Sequence, residues 1–213
     1  MRRLIKSKWA YIKNEQGSSH VLSIGLIMVA ILLSFVFFDM YSTFASKNIS
    51  QTSSDAAALG AAEEIRKTYE DGLKDDLDRL LSSIDEDDED LYPIKERIED
   101  AAEVNVIESL IDLYNAMEED NPEEIIFESM CSTIRQSESD IIQVAQHYAD
   151  ENGASGPINN FQFPHDEKFA VILATERDTA FATVDLDDLQ LDTHAAAAVK
   201  LPKELDYDQN YCG

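Results

Sequence analysis

The spacing of apolar residues changes several times along the chain, and each change predicts a different element. From Val21 to Phe38 there is no polar stripe at all. Thirteen of these 18 residues are Val, Leu, Ile or Phe, and none is charged. As a helix the run spans about 27 Å, close to the hydrocarbon thickness of a bilayer. Its aliphatic and Phe side chains favour insertion by roughly 4 to 8 kcal/mol before the cost of Ser23, Gly25 and Ser34. A buried helix of a soluble protein would normally keep a polar stripe. The helical pattern then continues. Met40 to Lys67 holds no Pro and one Gly, and Asp55-Ala-Ala-Ala-Leu-Gly-Ala-Ala-Glu-Glu64 favours helix everywhere except Gly60. Ser42, Ser46, Ser50, Ser54, Ala58 and Ala62 place a small residue at every fourth position. Such a row lets another helix approach closely; the other reading is a solvated, Ser-rich stalk. Residues 18 to about 68 thus read as one continuous helix.

Farther along, the steps become three and four. Ile65, Tyr69, Leu73, Leu77, Leu80, Leu81 and Ile84 give one sticky face up to an acidic run, Asp85-Glu-Asp-Asp-Glu-Asp90. A second helix is predicted from Ile94 to about Met117. A third starts with Asn121 as N-cap, Pro122 in the first turn and Glu124 at the reciprocal capping position. It runs on to Tyr148, with a possible new start at Ser137, and Asn152-Gly153 supplies a left-handed stop. After the turn Gly153-Ala-Ser-Gly-Pro157 the period shortens. Phe169-Ala-Val-Ile-Leu-Ala-Thr175 reads as a buried strand, and Ala180 to Leu186 as a half-buried one. Leu191 to Leu201 contains four consecutive Ala residues, which in isolation favour helix.

Charge sharpens this picture. The net charge is −26, from 43 acidic and 17 basic residues. Residues 1–16 hold five basic side chains (Arg2, Arg3, Lys6, Lys8, Lys13) and one acid, whereas residues 39–213 hold 12 basic and 42 acidic ones. The apolar run separates the two blocks. Basic residues stay cytoplasmic, so the expected topology is a single-pass cell-membrane protein with its N-terminus inside and its acidic body extracytoplasmic. A cleaved secretory signal is the rival reading. It would need a shorter apolar core, and Thr43-Phe44-Ala45 is a poor cleavage site.

Gly17 before the apolar run, Asp39 and Tyr41 at its far end, and Ser54-Asp-Ala-Ala-Ala-Leu-Gly-Ala-Ala62 together resemble the N-terminal region of TadE/TadG-like proteins, pseudopilin-type components of tight-adherence (Flp) pilus assembly. The resemblance covers about residues 14–65. It implies a membrane-anchored structural component without enzymatic activity, whose partners are the lipid bilayer and other pilin-like subunits or Tad secretion platform proteins. It also implies a candidate leader cleavage between Gly17 and Ser18. Counting from Ser18, Leu22 stands at the fifth position, where pilin-type precursors usually carry Glu. For Leu191 to Leu201 the resemblance implies strand.

The expected fold class is therefore α+β with pilin-like architecture: a long N-terminal transmembrane helix that continues outside the membrane, an acidic helical region, and a small C-terminal antiparallel sheet. The expected divisions are a basic cytoplasmic leader (1–16), a long helix (17–68) with the span at 21–38, the acidic helical region (69–152) and a small β-rich head (153–213).

Candidate chemistry is sparse. Cys131 and Cys212 can bridge if the body lies outside, closing a loop of about 80 residues worth roughly 4 kcal/mol in chain entropy; two free thiols are the other reading. The acidic run lacks the Gly and terminal Glu of an EF-hand loop. His20, His147, His165 and His194 are scattered, and no hydrolase elbow, phosphate loop or zinc-protease motif is present. No catalytic, cofactor-binding or metal-ligating residue is assigned, and the acid excess argues against nucleic acid as a partner. Against the pilus component stands a second class, an anchored interaction or sensing module with an acidic ectodomain. The acidity itself fits either a saline habitat or a cationic partner.

Overall fold

A chain with no helix breaker from its apolar run to residue 83 keeps its backbone hydrogen bonds inside one element, and the computed structural model shows that element as helix α1, Glu15–Ser83. The structure describes residues 15–101, 104–166, 168–178, 190–205 and 212. Two units are distinguished, Met1–Lys47 with Asp178–Gln190, and Asn48–Arg177 with Leu191–Gly213. In the first, the described part of α1 is exposed through its apolar run. The second contains the core.

Helix α1 extends beyond the expected end near residue 68. Ile65, Tyr69, Leu73, Leu77 and Leu81 recur every fourth residue and are all buried, extending the face begun by Ala57, Ala58, Ala61 and Ala62. The helix stops where Asp85 to Asp90 would stack carboxylates on its negative end. Lys95 Nζ instead donates to the Ile84 carbonyl at 3.1 Å.

The predicted helix Ile94 to Met117 is two helices, α2 (Tyr92–Glu99) and α3 (Val106–Ala116). Two local signals account for the break. Glu99 and Asp100 crowd acid at the end of α2, and Asn105 caps α3, accepting from the Glu108 amide at 3.4 Å. Ala101, which continues the apolar spacing of Ile94 and Ile98 in the sequence, is exposed. The third predicted helix divides at Ser137 into α4 (Pro122–Gln136) and α5 (Glu138–Glu151). The capping box at Asn121 differs from expectation: its amide donates to the Glu124 carboxylate at 2.7 Å, and its side chain makes no bond to the backbone. Helix α5 ends as Asn152-Gly153 predicts. Gly153 has φ +91°, its amide bonds the Asp150 carbonyl and that of Ala154 bonds the Ala149 carbonyl, the paired bonds of a Schellman end.

Three strands, β1 (Asn159–Gln162), β2 (Ala170–Asp178) and β3 (Gln190–Ala198), form an antiparallel sheet in the order β1-β2-β3. β1 has no strong sequence pattern. It pairs Asn159 with Ala174 and Gln162 with Ile172. Three steps on β1 thus face two on β2, and Asn160 at φ 54° takes up the bulge. The predicted strand Ala180–Leu186 lies outside the described residues. The alanine run is strand: Thr193, Ala195 and Val199 are buried while Asp192, His194, Ala196 and Ala198 are exposed.

Phe169 joins sheet and helices. Its ring meets those of Tyr69, Phe127 and Phe163 edge-on, with centroids 6.1, 6.3 and 4.8 Å away. Tyr69 is 1% exposed, and its hydroxyl donates to the Lys200 carbonyl at 2.6 Å. Helix α1 meets α5 at Gly60, where an added Cβ would fall within the Tyr148 ring. It meets α4 at Gly72, where a Cβ would lie 2.8 Å from Thr133 Cγ2.

Among the described residues the core contains no carboxylate; its buried polar residues there are Ser50, Ser53, Ser54, Thr175 and Thr193. The acid excess therefore sits on the outside, where ion pairs such as Arg66 with Glu63 at 2.6 Å and Arg97 with Asp112 at 2.6 Å are solvent-exposed and offset little of the self-repulsion. Salt shortens the range of that repulsion. For the full chain in a non-ionic detergent, the thermal midpoint followed by circular dichroism is expected to rise by several degrees between ~0.05 M and ~1 M KCl; a flat or falling midpoint contradicts this.

Burial pushes the Tyr69 phenol up from 10.0 to about 12. The raised value means that the fold favours the neutral phenol. The stabilisation is complete below pH 10 and is lost as pH rises towards 12. Tyr69→Phe is expected to lower stability by about 1 kcal/mol near neutral pH. Denaturant titrations of the two proteins should converge at high pH.

Candidate functional site

Two stretches of α1 with opposite surroundings are the features on which a function can be built. The first is the apolar run. Every large apolar side chain from Val21 to Phe38 is exposed, from 47% at Phe35 to 72% at Val21. A contiguous surface of this kind marks an apolar partner or a membrane. Its polar groups are satisfied locally. Ser23 Oγ donates to the Ser19 carbonyl at 2.9 Å, and Ser34 Oγ to the Ala30 carbonyl at 2.8 Å. Neither hydroxyl then needs water, as a segment crossing hydrocarbon requires. An 18-residue window of the helix has mean hydropathy 2.9, and α1 is long and apolar enough to cross a membrane once. Gly17 and Ser18, the candidate leader junction, both lie within α1.

The second stretch is the row of small residues. Ser42 and Ser46 are half-buried. Ser50 and Ser54 are 0% exposed, Ala58 1% and Ala62 5%. The sequence suggested another helix as the occupant of this face. At Ser50 and Ser54 the occupant is the chain's own sheet. Ser50 Oγ lies 2.7 Å from Thr193 Oγ1, and Ser54 Oγ lies 2.7 Å from the hydroxyls of both Thr175 and Thr193 and 2.8 Å from the Thr193 carbonyl.

Ser54 Oγ also lies 3.1 Å from the Ser50 carbonyl, and Thr175 Oγ1 3.4 Å from the same carbonyl. Each hydroxyl has one proton and two lone pairs, so either member of a hydroxyl pair can donate, and the carbonyls of Ser50 and Thr193 accept. The four hydroxyls thus form a bonded cluster among buried residues. One turn away, Ser53 Oγ reaches the carbonyls of Asn152 at 2.7 Å and Ile49 at 2.9 Å, fastening α1 to the end of α5. Arg177 Nη1 donates to the Gly153 carbonyl beside it.

Cys131 and Cys212 are joined by a disulfide, with Cα atoms 5.6 Å apart and both residues 4% exposed. Arg135, one turn after Cys131 on α4, donates through Nη2 to the Cys212 carbonyl. Arg135 also lines a shallow cleft of about 290 Å³ with Ile134, Glu138, Phe161, Gln162, Phe163 and Pro164.

The remaining polar candidates do not converge. In the acidic run, Asp88 Oδ1 accepts from the amides of Asp90 at 3.1 Å and Leu91 at 3.0 Å, in the turn before α2. Among the described residues no three His, Cys, Asp or Glu side chains are grouped to hold a metal ion. His147 sits 3.5 Å from Glu151 and His165 3.7 Å from Asp166, each pair within one local segment.

Sequence reasoning found the serine side of the hydroxyl cluster but missed Thr175 and Thr193. The available signal was the presence of Thr at strand positions that alternate with exposed residues, next to a helix whose Ser residues recur every four. Ser54→Ala removes the node shared by both threonines and leaves two buried hydroxyls short of a partner. It is expected to destabilise the chain by roughly 1 to 3 kcal/mol, measured by urea titration in detergent.

The chain matches no protein-family model, no curated protein and no solved structure.

Proposed function

We propose that this protein is a membrane-anchored structural component, minor pilin- or pseudopilin-like, of a Tad/Flp pilus or a related secretion system. It sits in the cell membrane as a single-pass protein with its N-terminus cytoplasmic and its acidic body extracytoplasmic. The observation that carries the reading is the continuity of α1. One helix presents an unbroken apolar surface from Val21 to Phe38 and, without a break, becomes the element around which a small α+β body packs. A segment that must lie in hydrocarbon and a body that must lie in water are thus held on one hydrogen-bonded backbone.

Three further observations support it. The basic residues precede the apolar run and the acids follow it, as an inside-to-outside topology requires. The bonded cysteines lie on the side assigned to the oxidising compartment. The stretch from Gly17 through Ser54-Asp-Ala-Ala-Ala-Leu-Gly-Ala-Ala62 resembles the TadE/TadG-like N-terminal region. The role is scaffolding: the span seats the subunit in the bilayer, and lateral contacts with pilin-like subunits or platform proteins place it in the apparatus.

Chemical cross-linking in native membranes, followed by detergent extraction and mass spectrometry, tests this. The expected result is co-purification with pilin-like subunits or their secretion platform. Intact mass in the same sample reports whether the chain begins at Met1 or at Ser18. A monomer that never cross-links to such proteins favours an anchored interaction or sensing module instead.

A further inference from the structure

The disulfide sits at an unusual place in the order of the chain. It joins α4 to a residue beyond the sheet, at a sequence separation of 81, so the ring it closes contains α5, β1, β2 and β3. After β3, residues 199–205 cross the helices and are held at successive points. The Val199 amide bonds the Phe169 carbonyl at 2.9 Å, the Lys200 carbonyl takes the Tyr69 hydroxyl at 2.6 Å, and Glu204 meets the Asn105 side-chain amide at 3.3 Å. Leu205 and Cys212 are each 4% exposed. These anchors belong to the residue before β2, to α1 and to the cap of α3, and the disulfide adds α4.

Both sulfur-bearing residues are buried once this crossing is in place, so neither an oxidant nor a reductant of molecular size can line up with the bond in the packed state. The bond has to be made while Cys212 is still unpacked. In the packed state both cysteines are 4% exposed and Arg135 donates to the Cys212 carbonyl.

We propose that Cys131–Cys212 is an export-coupled lock. It forms by thiol–disulfide exchange after the body has left the cytosol and before the C-terminal crossing packs, and packing then shields it from reduction. In the exchange, one cysteine thiolate attacks a sulfur of a disulfide-bearing oxidant, giving a mixed disulfide and one released thiolate. The second cysteine thiolate attacks the protein sulfur of that intermediate and releases the other. Two electrons pass to the oxidant, and the two cysteine protons end on its two thiols or in solvent. The proposal rests on the extracytoplasmic placement of the body given above and goes beyond it, because it assigns an order to oxidation and folding and a function to the burial of the bond.

The test uses the full chain in its native membranes and, after extraction, in detergent. Acid-quenched alkylation followed by mass analysis is expected to find both cysteines unlabelled until a reductant is added under denaturing conditions. Free thiols at both positions overturn the lock. In detergent, reduction by a thiol such as dithiothreitol is expected to be more than about tenfold slower than in urea-unfolded chain. Equal rates overturn the shielding. Arg135→Gln, which keeps both cysteines and the apolar core, is expected to speed reduction severalfold while the far-ultraviolet circular dichroism is unchanged; an unchanged rate removes Arg135 from the device.

External protease on sealed cells separates the two claims. Free thiols in a body digested from outside sink the lock and leave the topology standing. A body protected from external protease sinks the topology, and with it the coupling to export.

Discussion

The rest of the structure depends on one backbone constraint: α1 is continuous while its side chains change character along it. A helix satisfies its backbone polar groups internally, so an exposed apolar run and a core-forming stretch can share one hydrogen-bonded backbone. Only its side chains have to change. Around Val21 to Phe38 they are large and apolar on all sides. From Ser50 onward they are small on one face, then large and apolar on that face from Ile65 to Leu81, with polar residues elsewhere. The size of the buried residue sets how closely the next element approaches. Serine and alanine let β2 and β3 come within hydroxyl contact of the helix, while Ile65, Tyr69 and Leu73 hold the helices at ordinary core distances.

The hydroxyl cluster of Ser50, Ser54, Thr175 and Thr193 gives this contact a direction that alanine alone would lack. Small apolar faces slide; a bonded set of four hydroxyls fits in one register. The same logic places Phe169 among Tyr69, Phe127 and Phe163. The tyrosine hydroxyl then fixes the chain that leaves β3. Polar specificity and apolar area thus alternate along α1, and each fastens a different part of the sheet and helices packed on it.

The acidity follows a separate rule. Among the described residues carboxylates are absent from the core and lie on all the helices and the connecting loop, so they shape solubility and salt response rather than fold. Their local effect is on helix ends. The acidic run ends α1, Asp88 closes the turn before α2, and Asn105 rather than a carboxylate starts α3. Reading Ile94 to Met117 as one helix failed because apolar periodicity was given more weight than these end effects. Ala101 and Val104 fit the apolar pattern, yet neither is buried.

What the sequence determined by itself was local or cumulative: the 18-residue apolar run, the charge step across it, the Ile65 to Leu81 face, the starts near Pro122 and Ser137 and the stop at Gly153. Each is written in a few neighbouring residues, or in a count that no fold can alter. What only the tertiary structure decided was the occupant of each face. The sequence could not say that the small residues meet a sheet, that the alanine run of β3 is extended against its own helix propensity, or that Asn159–Gln162 supplies an edge strand. It also could not say that Gly60 is needed because the Tyr148 ring lies upon it. Apart from the edge strand, which pairs with nearby β2, those outcomes depend on contacts between residues about 90 to 140 positions apart, where the free energy of packing outweighs the small differences in backbone preference that a local pattern records.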